Sequence, residues 1–298
     1  MTKITTPGIY NISLADYHND PCEEVSISSS GLRTIDAGCP KLFWVNSPLN
    51  PHREHFTTPA FEFGRATHDW LLQKETFWDH NHVLGEGVKL TTKAGRAERD
   101  AALAEGKTVI KHEEFQSVQA MRQAVLEHEF AGAAFENGQA EPTLAWKDEE
   151  TGVWLRCRPD WLPAVQDWIP DYKTAVSAKP AEFQRAVWNH GYHMQAALYL
   201  EGIEAVTGKA PRNFFFVVQE KKAPFIVTVI ALDRIAIEWG QQQNRRAIRV
   251  FADCLERDTW PGYSSRVEQI GLPGFAEYQL QQRHEAGEFD TFAEDTAA

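Results

Sequence analysis

The spacing of hydrophobic residues divides the chain into a strand-rich centre with helices on either side. Residues 141–174 alternate between apolar and polar positions, which predicts three consecutive strands. Residues 179–207 repeat apolar positions every three to four residues and predict the longest helix. Two further apolar runs, 212–219 and 224–232, predict strands joined by a hairpin turn. A helix is then expected over 233–256, with Asp233 as its N-cap, before the chain loses regular structure.

The amino-terminal part has a helical pattern interrupted by polar segments. The serines before Gly31 predict a capped helix start, and Pro40 predicts the first turn of another helix. Residues 59–75 and 112–135 have helical spacing of apolar residues. Residues 85–112 are polar and lysine-rich, which is typical either of a solvated helix with loops or of a basic arm over a phosphate backbone.

Polar side chains follow one face of the two central strands, where a buried strand would be apolar. On the strand that ends at Asp160, alternation places Arg156 and Arg158 on the same face as that carboxylate. On the next strand, Asp171 and Lys173 share a face and lie roughly 7 Å apart. The connection between the two strands is short enough for a hairpin, which would bring these groups together.

Two carboxylates held close together repel each other unless a cation or a shared proton lies between them. Lys173 supplies only one positive charge for Asp160 and Asp171, so a divalent metal ion is the natural counter-charge. Arg156 and Arg158 are then candidates for contact with a phosphate group.

Four other residues have an ordinary and a functional interpretation. His68 falls among apolar neighbours on a predicted helix, as either a hydrogen-bonded core histidine or a metal ligand. Glu141 begins the first predicted strand and is either exposed or directed towards the two aspartates. Gln195 and Tyr199 are separated by one helical turn, and either could be an ordinary surface residue.

Composition limits the class of protein without identifying it. The 298 residues are 43% hydrophobic, and the net charge of −12 argues against a passive nucleic-acid binder but not against a metal-dependent nuclease. No apolar run approaches the ~20 residues of a membrane span, and no signal peptide is evident, so a cytoplasmic protein is expected. We expect one domain over 1–285 and a disordered acidic tail over 286–298.

The cysteines give no sign of a disulfide or a cluster site. They stand at four scattered positions without a CxxC pair, so reduced, structural thiols are expected and an iron–sulfur cluster is not. These residues are Cys22, Cys39, Cys157 and Cys254.

The order of the polar motifs resembles a known superfamily. Pro159-Asp160, then Asp171-Tyr172-Lys173, then Gln195 to Tyr199 resemble the PD-(D/E)xK pattern followed by the Q-x-x-x-Y helix motif. The Gly64–His68 segment is similar to the upstream histidine helix of the RecB-type branch. The resemblance spans about residues 7–275 and is strongest to the RecE-type exonucleases of phages and prophages.

The resemblance implies a fold and a set of roles. The fold would be α/β (α+β): a central mixed β-sheet flanked by helices, with the restriction-endonuclease-like core over about 136–260 and a helical part over about 1–135. One or two Mg²⁺ or Mn²⁺ ions would be bound, and Lys173 would act with Asp160 and Asp171 in catalysis, its pKa lowered by the nearby cations. The implied metal ligands are His68, Glu141, Asp160, Asp171 and the backbone carbonyl of Tyr172. The implied DNA contacts are Gln195 and Tyr199, to which alternation adds Arg156 and Arg158.

The implied activity is hydrolysis of linear double-stranded DNA from its ends, 5′→3′, leaving 3′ single strands for an annealing recombinase. The implied assembly is a ring-shaped homo-oligomer in a bacterial cell, encoded by a phage or prophage and without membrane association. The alternatives are an endonuclease or a CRISPR-adaptation-type end-trimming nuclease of the same superfamily. An inactive DNA-end binder fits less well, since it has no need to keep like charges together. An acidic DNA mimic would explain the net charge of −12 but not the ordered motifs.

Overall fold

A computed structural model describes residues 3–53 and 59–289. Two hydrogen-bonded sheets form the centre of the part of it that ends at Trp260. One sheet has four strands in the order β1-β6-β7-β2, and the other has three in the order β11-β10-β9. Two further sheets have two strands each, β3-β4 and β5-β8. The strands are β1 (Gly8–Tyr10), β2 (Ser26–Ser28), β3 (Asn81–Val83), β4 (Thr108–Ile110), β5 (Gly138–Ala140), β6 (Thr143–Lys147), β7 (Trp154–Cys157), β8 (Trp161–Pro163), β9 (Trp168–Ala175), β10 (Asn213–Glu220) and β11 (Val227–Ala231).

Helices pack on both faces of the three-stranded sheet, and the combination of mixed sheets with helices confirms the mixed α/β class. The helices of the described residues are α1 (Leu14–His18), α2 (Ser29–Ala37), α3 (Pro40–Asn46), α4 (Pro59–Leu72), α5 (Phe77–His80), α6 (Lys93–Ala104), α7 (His112–Glu127), α8 (Glu129–Ala134), α9 (Pro180–His190), α10 (Tyr192–Thr207), α11 (Arg234–Arg257) and α12 (Gly274–Glu285). A 3₁₀ turn, Lys74–Thr76, joins α4 to α5.

The predicted hairpin between the two polar strands is wrong. The chain leaves the four-stranded sheet after Cys157, and the inserted strand β8 pairs antiparallel with β5. Gly138 permits this pairing, because a Cβ there would lie 2.3 Å from the Trp161 indole nitrogen. Strand β9 pairs instead with β10, in parallel, with Asp171 opposite Phe216. The two polar strands therefore belong to different sheets.

The predicted long helix over 179–207 is two helices. Gly191 lies between α9 and α10 with φ of 63°, a left-handed conformation that glycine adopts without strain. A side chain there would also meet Arg33, since a Cβ would lie 2.8 Å from its Cδ. The break turns α10 inward, and Ala196, Ala197 and Leu198 become fully buried.

Most other predicted elements are confirmed. Helix α11 begins at the predicted cap, where Asp233 Oδ1 accepts a hydrogen bond of 2.7 Å from the Ala236 amide. Helix α2 follows Ser28, although that side chain makes no capping bond. The polar segment 85–112 contains α6 and β4, and β4 pairs in parallel with β3.

The main hydrophobic core lies between α10, α11 and α2 and one face of the sheets. Strand β10 contributes Phe214 and Phe216 to it, and β7 contributes Leu155. The opposite face of the three-stranded sheet packs Tyr172 and Val217 against a second cluster from α4, α7 and α8. Strand β9 therefore has an apolar residue on each face, with Asp171 and Lys173 directed towards the α10 side.

The described residues up to Trp260 form one compact unit, and those from Pro261 to residue 289 form another. The second unit contains α12, so the prediction that regular structure ends near residue 260 is wrong. The single domain predicted over 1–285 stays a prediction, and most of the predicted acidic tail lies outside the described residues. Within the described ranges, no helix is long and apolar enough to cross a membrane.

Candidate active site

A cavity of about 610 Å³ lies where α4, α10 and the two sheets meet. Most of the sequence-predicted side chains line it, and Asp171 is fully buried behind two of them, Lys173 and Gln195, which it contacts. The predicted residues on its wall are His68, Glu141, Arg158, Asp160, Lys173, Gln195 and Tyr199. Five separate segments of the chain are thus brought to one place.

Asp160 joins the two sheets through its side chain. It follows β7 and directs Oδ2 at the backbone N–H of Tyr172 on β9, 2.7 Å away. On this side of β9, the carboxylate accepts the backbone hydrogen bond that a neighbouring strand would otherwise accept. Burial raises the pKa of Asp160 to about 6, and the Lys173 charge opposes the rise.

Asp171 is fully buried and held from both sides. Its Oδ1 accepts a hydrogen bond of 2.7 Å from the Gln195 amide on α10, and its Oδ2 forms an ion pair with Lys173. Burial raises the pKa of Asp171 to about 6, with repulsion from Asp160 as the next cause. The Asp160 and Asp171 carboxylates are therefore close enough to repel each other. They meet even though no hairpin joins their strands.

Lys173 lies among anions in this structure. Burial lowers the pKa of its ammonium group, but Asp171 and Asp160 outweigh burial, and the net shift is upward. Its Nζ also lies 5.3 Å from the ring centre of Tyr192, over the ring. The predicted lowering of this pKa depended on neighbouring cations, whereas the side chains here hold the proton on Nζ.

His68 on α4 completes the group. Its Nδ1 lies 3.7 Å from Asp160 Oδ2, and its ring meets the Tyr172 ring edge to face at 5.0 Å. Burial lowers the pKa of the imidazole, and the Lys173 charge lowers it further. A neutral imidazole is the form that can donate electrons to a metal ion.

Glu141 reaches the cavity from the bend between β5 and β6. Its backbone has φ of 47°, a left-handed conformation that is uncommon for glutamate, and its N–H donates to the Asp160 carbonyl at 3.0 Å. Its Oε2 accepts hydrogen bonds of 3.2 and 3.0 Å from Arg158. Glu141 therefore lies near the aspartates, but its carboxylate is paired with Arg158. Its role as a metal ligand stays a prediction.

Tyr199 and Tyr172 contribute in different ways. Tyr199 lines the cavity, but its ring is buried in the main core, 6.0 Å from Phe214. The Tyr172 ring lies on the far side of the sheet, where its hydroxyl donates to Gln219. In a strand, the backbone N–H and C=O of one residue point to the same side. The Tyr172 N–H faces Asp160, so the Tyr172 carbonyl faces Asp160 as well.

Arg156 lies away from the cavity wall. Its guanidinium is buried and donates to the Ser26 carbonyl at 2.6 Å, with Asp20 at 3.5 Å. Strand β7 ends at Cys157, so Arg158 leaves the ladder and turns to the cavity while Arg156 stays inside it. This position argues for a structural role, and the predicted phosphate contact has no support for Arg156.

We expect the Arg156→Ala substitution to lower the free energy of unfolding by about 3 kcal/mol, because it leaves Asp20 buried without its charge partner. Urea unfolding followed by circular dichroism would measure the change. The control is Arg249→Ala, which removes an exposed ion pair with Glu150. Equal losses in the two variants would contradict the structural role.

Sequence reasoning missed part of the cavity wall. Arg33 on α2 and Arg65 on α4 both line it, as does Tyr192 at the start of α10. Arg33 donates to the His190 carbonyl at 2.5 Å. The position of Arg65, three residues before His68, was the one available signal, because residues three apart share a helix face. Arg33 had none, since its helix reaches the site only through tertiary packing.

The residues present fit the divalent ion that the resemblance implies. Among the described residues, no three His, Cys, Asp or Glu side chains converge in a metal-binding arrangement. The donor set is nevertheless suitable: Asp160 and Asp171 have raised pKa values and a deficit of positive charge, and the Tyr172 carbonyl faces them. Oxygen donors of this kind suit Mg²⁺ or Mn²⁺.

Comparisons with solved structures agree with the fold. A crystal structure of a "Putative exonuclease" from Eubacterium rectale aligns with a TM-score of 0.59 at 13% sequence identity, covering 90% of this chain and 98% of that chain. At that identity the alignment shows a shared fold. The structure of SSO0001 aligns with a TM-score of only 0.31 at 14% identity, covering 80% of this chain and 78% of that one, and supports no argument. A search of curated proteins gave no match.

The family comparison is more extensive. The model described as "PDDEXK-like domain of unknown function (DUF3799)" matches residues 28–273. The match covers most of the chain and every candidate site residue from His68 to Tyr199. The chain therefore belongs to this PDDEXK-like family, within the PD-(D/E)xK nuclease superfamily.

Proposed function

We propose that the protein is a metal-dependent exonuclease acting on linear double-stranded DNA. The observation that carries the proposal is the close pair of the half-buried Asp160 and the fully buried Asp171, with Lys173 beside them at one cavity. Burying like charges together is costly. A structural role would not require it, whereas phosphodiester hydrolysis does.

Each of these side chains has a task in such a reaction. Asp160, Asp171 and the Tyr172 carbonyl would hold one or two Mg²⁺ or Mn²⁺ ions, which when bound activate water and stabilise charge on the phosphate. Gln195 orients Asp171 through its 2.7 Å hydrogen bond. Lys173 keeps its proton and places a positive charge next to the reacting phosphate.

The cavity also supports nucleic-acid binding despite the net charge of −12. Arg33, Arg65 and Arg158 line its wall and add positive charge around the aspartates. Phosphate contacts supply most of the affinity in complexes of this kind. The three arginines therefore supply positive charge where the phosphate backbone of the substrate would lie, although the protein as a whole is negatively charged.

The finer parts of the proposal rest on the resemblance to RecE-type exonucleases. They are degradation 5′→3′ from a duplex end, release of a 3′ single strand to an annealing recombinase, and a ring-shaped homo-oligomer in the bacterial cytoplasm. Membership of a PDDEXK-like family supports the nuclease chemistry on which these depend.

Digestion of linear duplexes labelled separately at the 5′ and 3′ ends tests the proposal. With Mg²⁺ present we expect the 5′ label to be released first as a small product, while a closed circular plasmid stays intact. Cleavage of the circle would replace the exonuclease with an endonuclease. Release of neither label with Mg²⁺ or Mn²⁺ would contradict nuclease activity on DNA.

A further inference from the structure

An exposed tryptophan next to the cavity belongs to no part of the site described above. Trp188 lies near the end of α9 and is 71% exposed. Its inner ring face stacks on the imidazole of His193, with an interplanar angle of 14° and 6.0 Å between ring centres. The His193 ring thus lies nearly parallel to the indole on one side, and most of the indole surface is open to solvent.

The support beneath Trp188 is held rigidly. His193 is buried, and its Nε2 lies 2.6 Å from Gln243 Oε1. The Gln243 amide in turn donates to Asp36 Oδ2 at 2.7 Å. We call Trp188, His193, Gln243 and Asp36 the Trp188 shelf. A supported ring loses little conformational freedom on binding, which favours stacking with a ligand.

The Trp188 shelf is adjacent to the cavity. Asp36 at its base is one turn, about 5 Å, along α2 from Arg33, which lines the cavity. Arg33 also lies close to the Trp188 end of the shelf, because it donates a hydrogen bond to the carbonyl of His190, two residues after Trp188. A strand that passes Arg33 on leaving the cavity therefore reaches the shelf within a few nucleotides.

We propose that Trp188 stacks on an unpaired base of a single DNA strand beside the cavity. The inference rests on the proposed function, because it takes DNA as the ligand of the cavity. An uncharged ring suits the flat face of a base rather than a phosphate, and such stacking tolerates any base sequence. Arg33 would contact the backbone of the same strand, so that ring and charge hold different parts of one nucleotide chain.

The test compares oligo-dT with an abasic oligonucleotide of the same length. Both carry the phosphate backbone, but only the first has bases to stack. In fluorescence anisotropy with EDTA, which keeps the strand intact, the wild type should bind oligo-dT about tenfold more tightly. Trp188→Ala should lose that preference and bind both alike, whereas Trp188→Phe should keep most of it.

A second comparison separates stacking from charge. Raising the salt concentration should weaken wild type and Trp188→Ala in parallel, because an uncharged ring releases no counterions. Phe130→Ala is the matched control, since Phe130 is 68% exposed on α8, on the other face of the three-stranded sheet. Melting temperatures of both variants should match the wild type because both rings are exposed.

Several results would overturn the inference. They are an unchanged preference in Trp188→Ala, an equal loss in Phe130→Ala, and a wild type that does not distinguish oligo-dT from the abasic strand. If the wild type does not distinguish the two strands but digests labelled duplexes normally, the stacking role of Trp188 is contradicted and the proposed function stands. Failure of both binding and digestion would instead remove the proposed function.

Discussion

Replacing Lys173 with methionine is expected to reduce DNA cleavage by about 10³-fold, the range seen when a group that stabilises transition-state charge is lost. Methionine fills a similar volume without the ammonium group, which in this structure is paired with Asp171 and keeps its proton. Single-turnover digestion of a labelled duplex with saturating Mg²⁺ measures the chemical step directly.

The fold should survive this substitution. Asp171 would lose its cation, and its pKa, already about 6, would rise further, so the carboxyl group would become neutral rather than remain a buried charge. The Gln195 amide still bonds to it. Circular dichroism should therefore be unchanged.

The matched control is Lys179→Met, which removes an exposed lysine just before α9. It should cleave at the wild-type rate. Wild-type activity in Lys173→Met would remove Lys173 from the catalytic group, and an equal loss in Lys179→Met would show that the effect is not specific to the site.

The local part of the site could be predicted from sequence because it depends on short-range periodicity. Asp171 and Lys173 are two residues apart on one strand, and a strand of either sheet places such a pair on one face. The spacing of Gln195 and Tyr199 puts them on one helix surface, but only the resemblance to the superfamily implied a place in the site, and the contact of Gln195 with Asp171 could not be predicted.

The long-range part could not be predicted, because it depends on where strands end and pair. Arg156 and Arg158 alternate identically, yet only Arg158 lies beyond the end of β7 and turns to the cavity. The insertion of β8 and the break at Gly191 are set by contacts with β5 and Arg33, which lie distant in sequence. Arg33 itself reaches the site through packing of α2 alone.

A divalent ion should both restore cleavage after EDTA treatment and stabilise the folded protein. Binding to the native state alone contributes about 2.7 kcal/mol at a concentration one hundred times the dissociation constant. For a domain of roughly this size, each 1 kcal/mol raises the melting temperature by about 2–4 °C, so we expect a rise of roughly 5–10 °C with saturating Mg²⁺ or Mn²⁺.

The physical reason lies in the two aspartates. Both have pKa values raised to about 6, so the folded state binds protons more tightly than the unfolded chain. The sign follows from linkage: stability falls as pH rises from about 4 to about 6, and the full cost of two buried carboxylates is present above that range. At about pH 7.5 a bound cation therefore has the most repulsion to offset.

Asparagine variants separate this explanation from nonspecific effects of the salt. Asp160→Asn and Asp171→Asn should each lose most of the melting shift along with cleavage, because each removes a negatively charged oxygen ligand. Asp253→Asn, on the exposed side of α11, should shift as the wild type does. Scanning fluorimetry with Mg²⁺, Mn²⁺ and EDTA at constant ionic strength makes the comparison. An equal shift in all three variants would place the ion elsewhere on the protein, and cleavage that persists in EDTA would show that the two aspartates act without one.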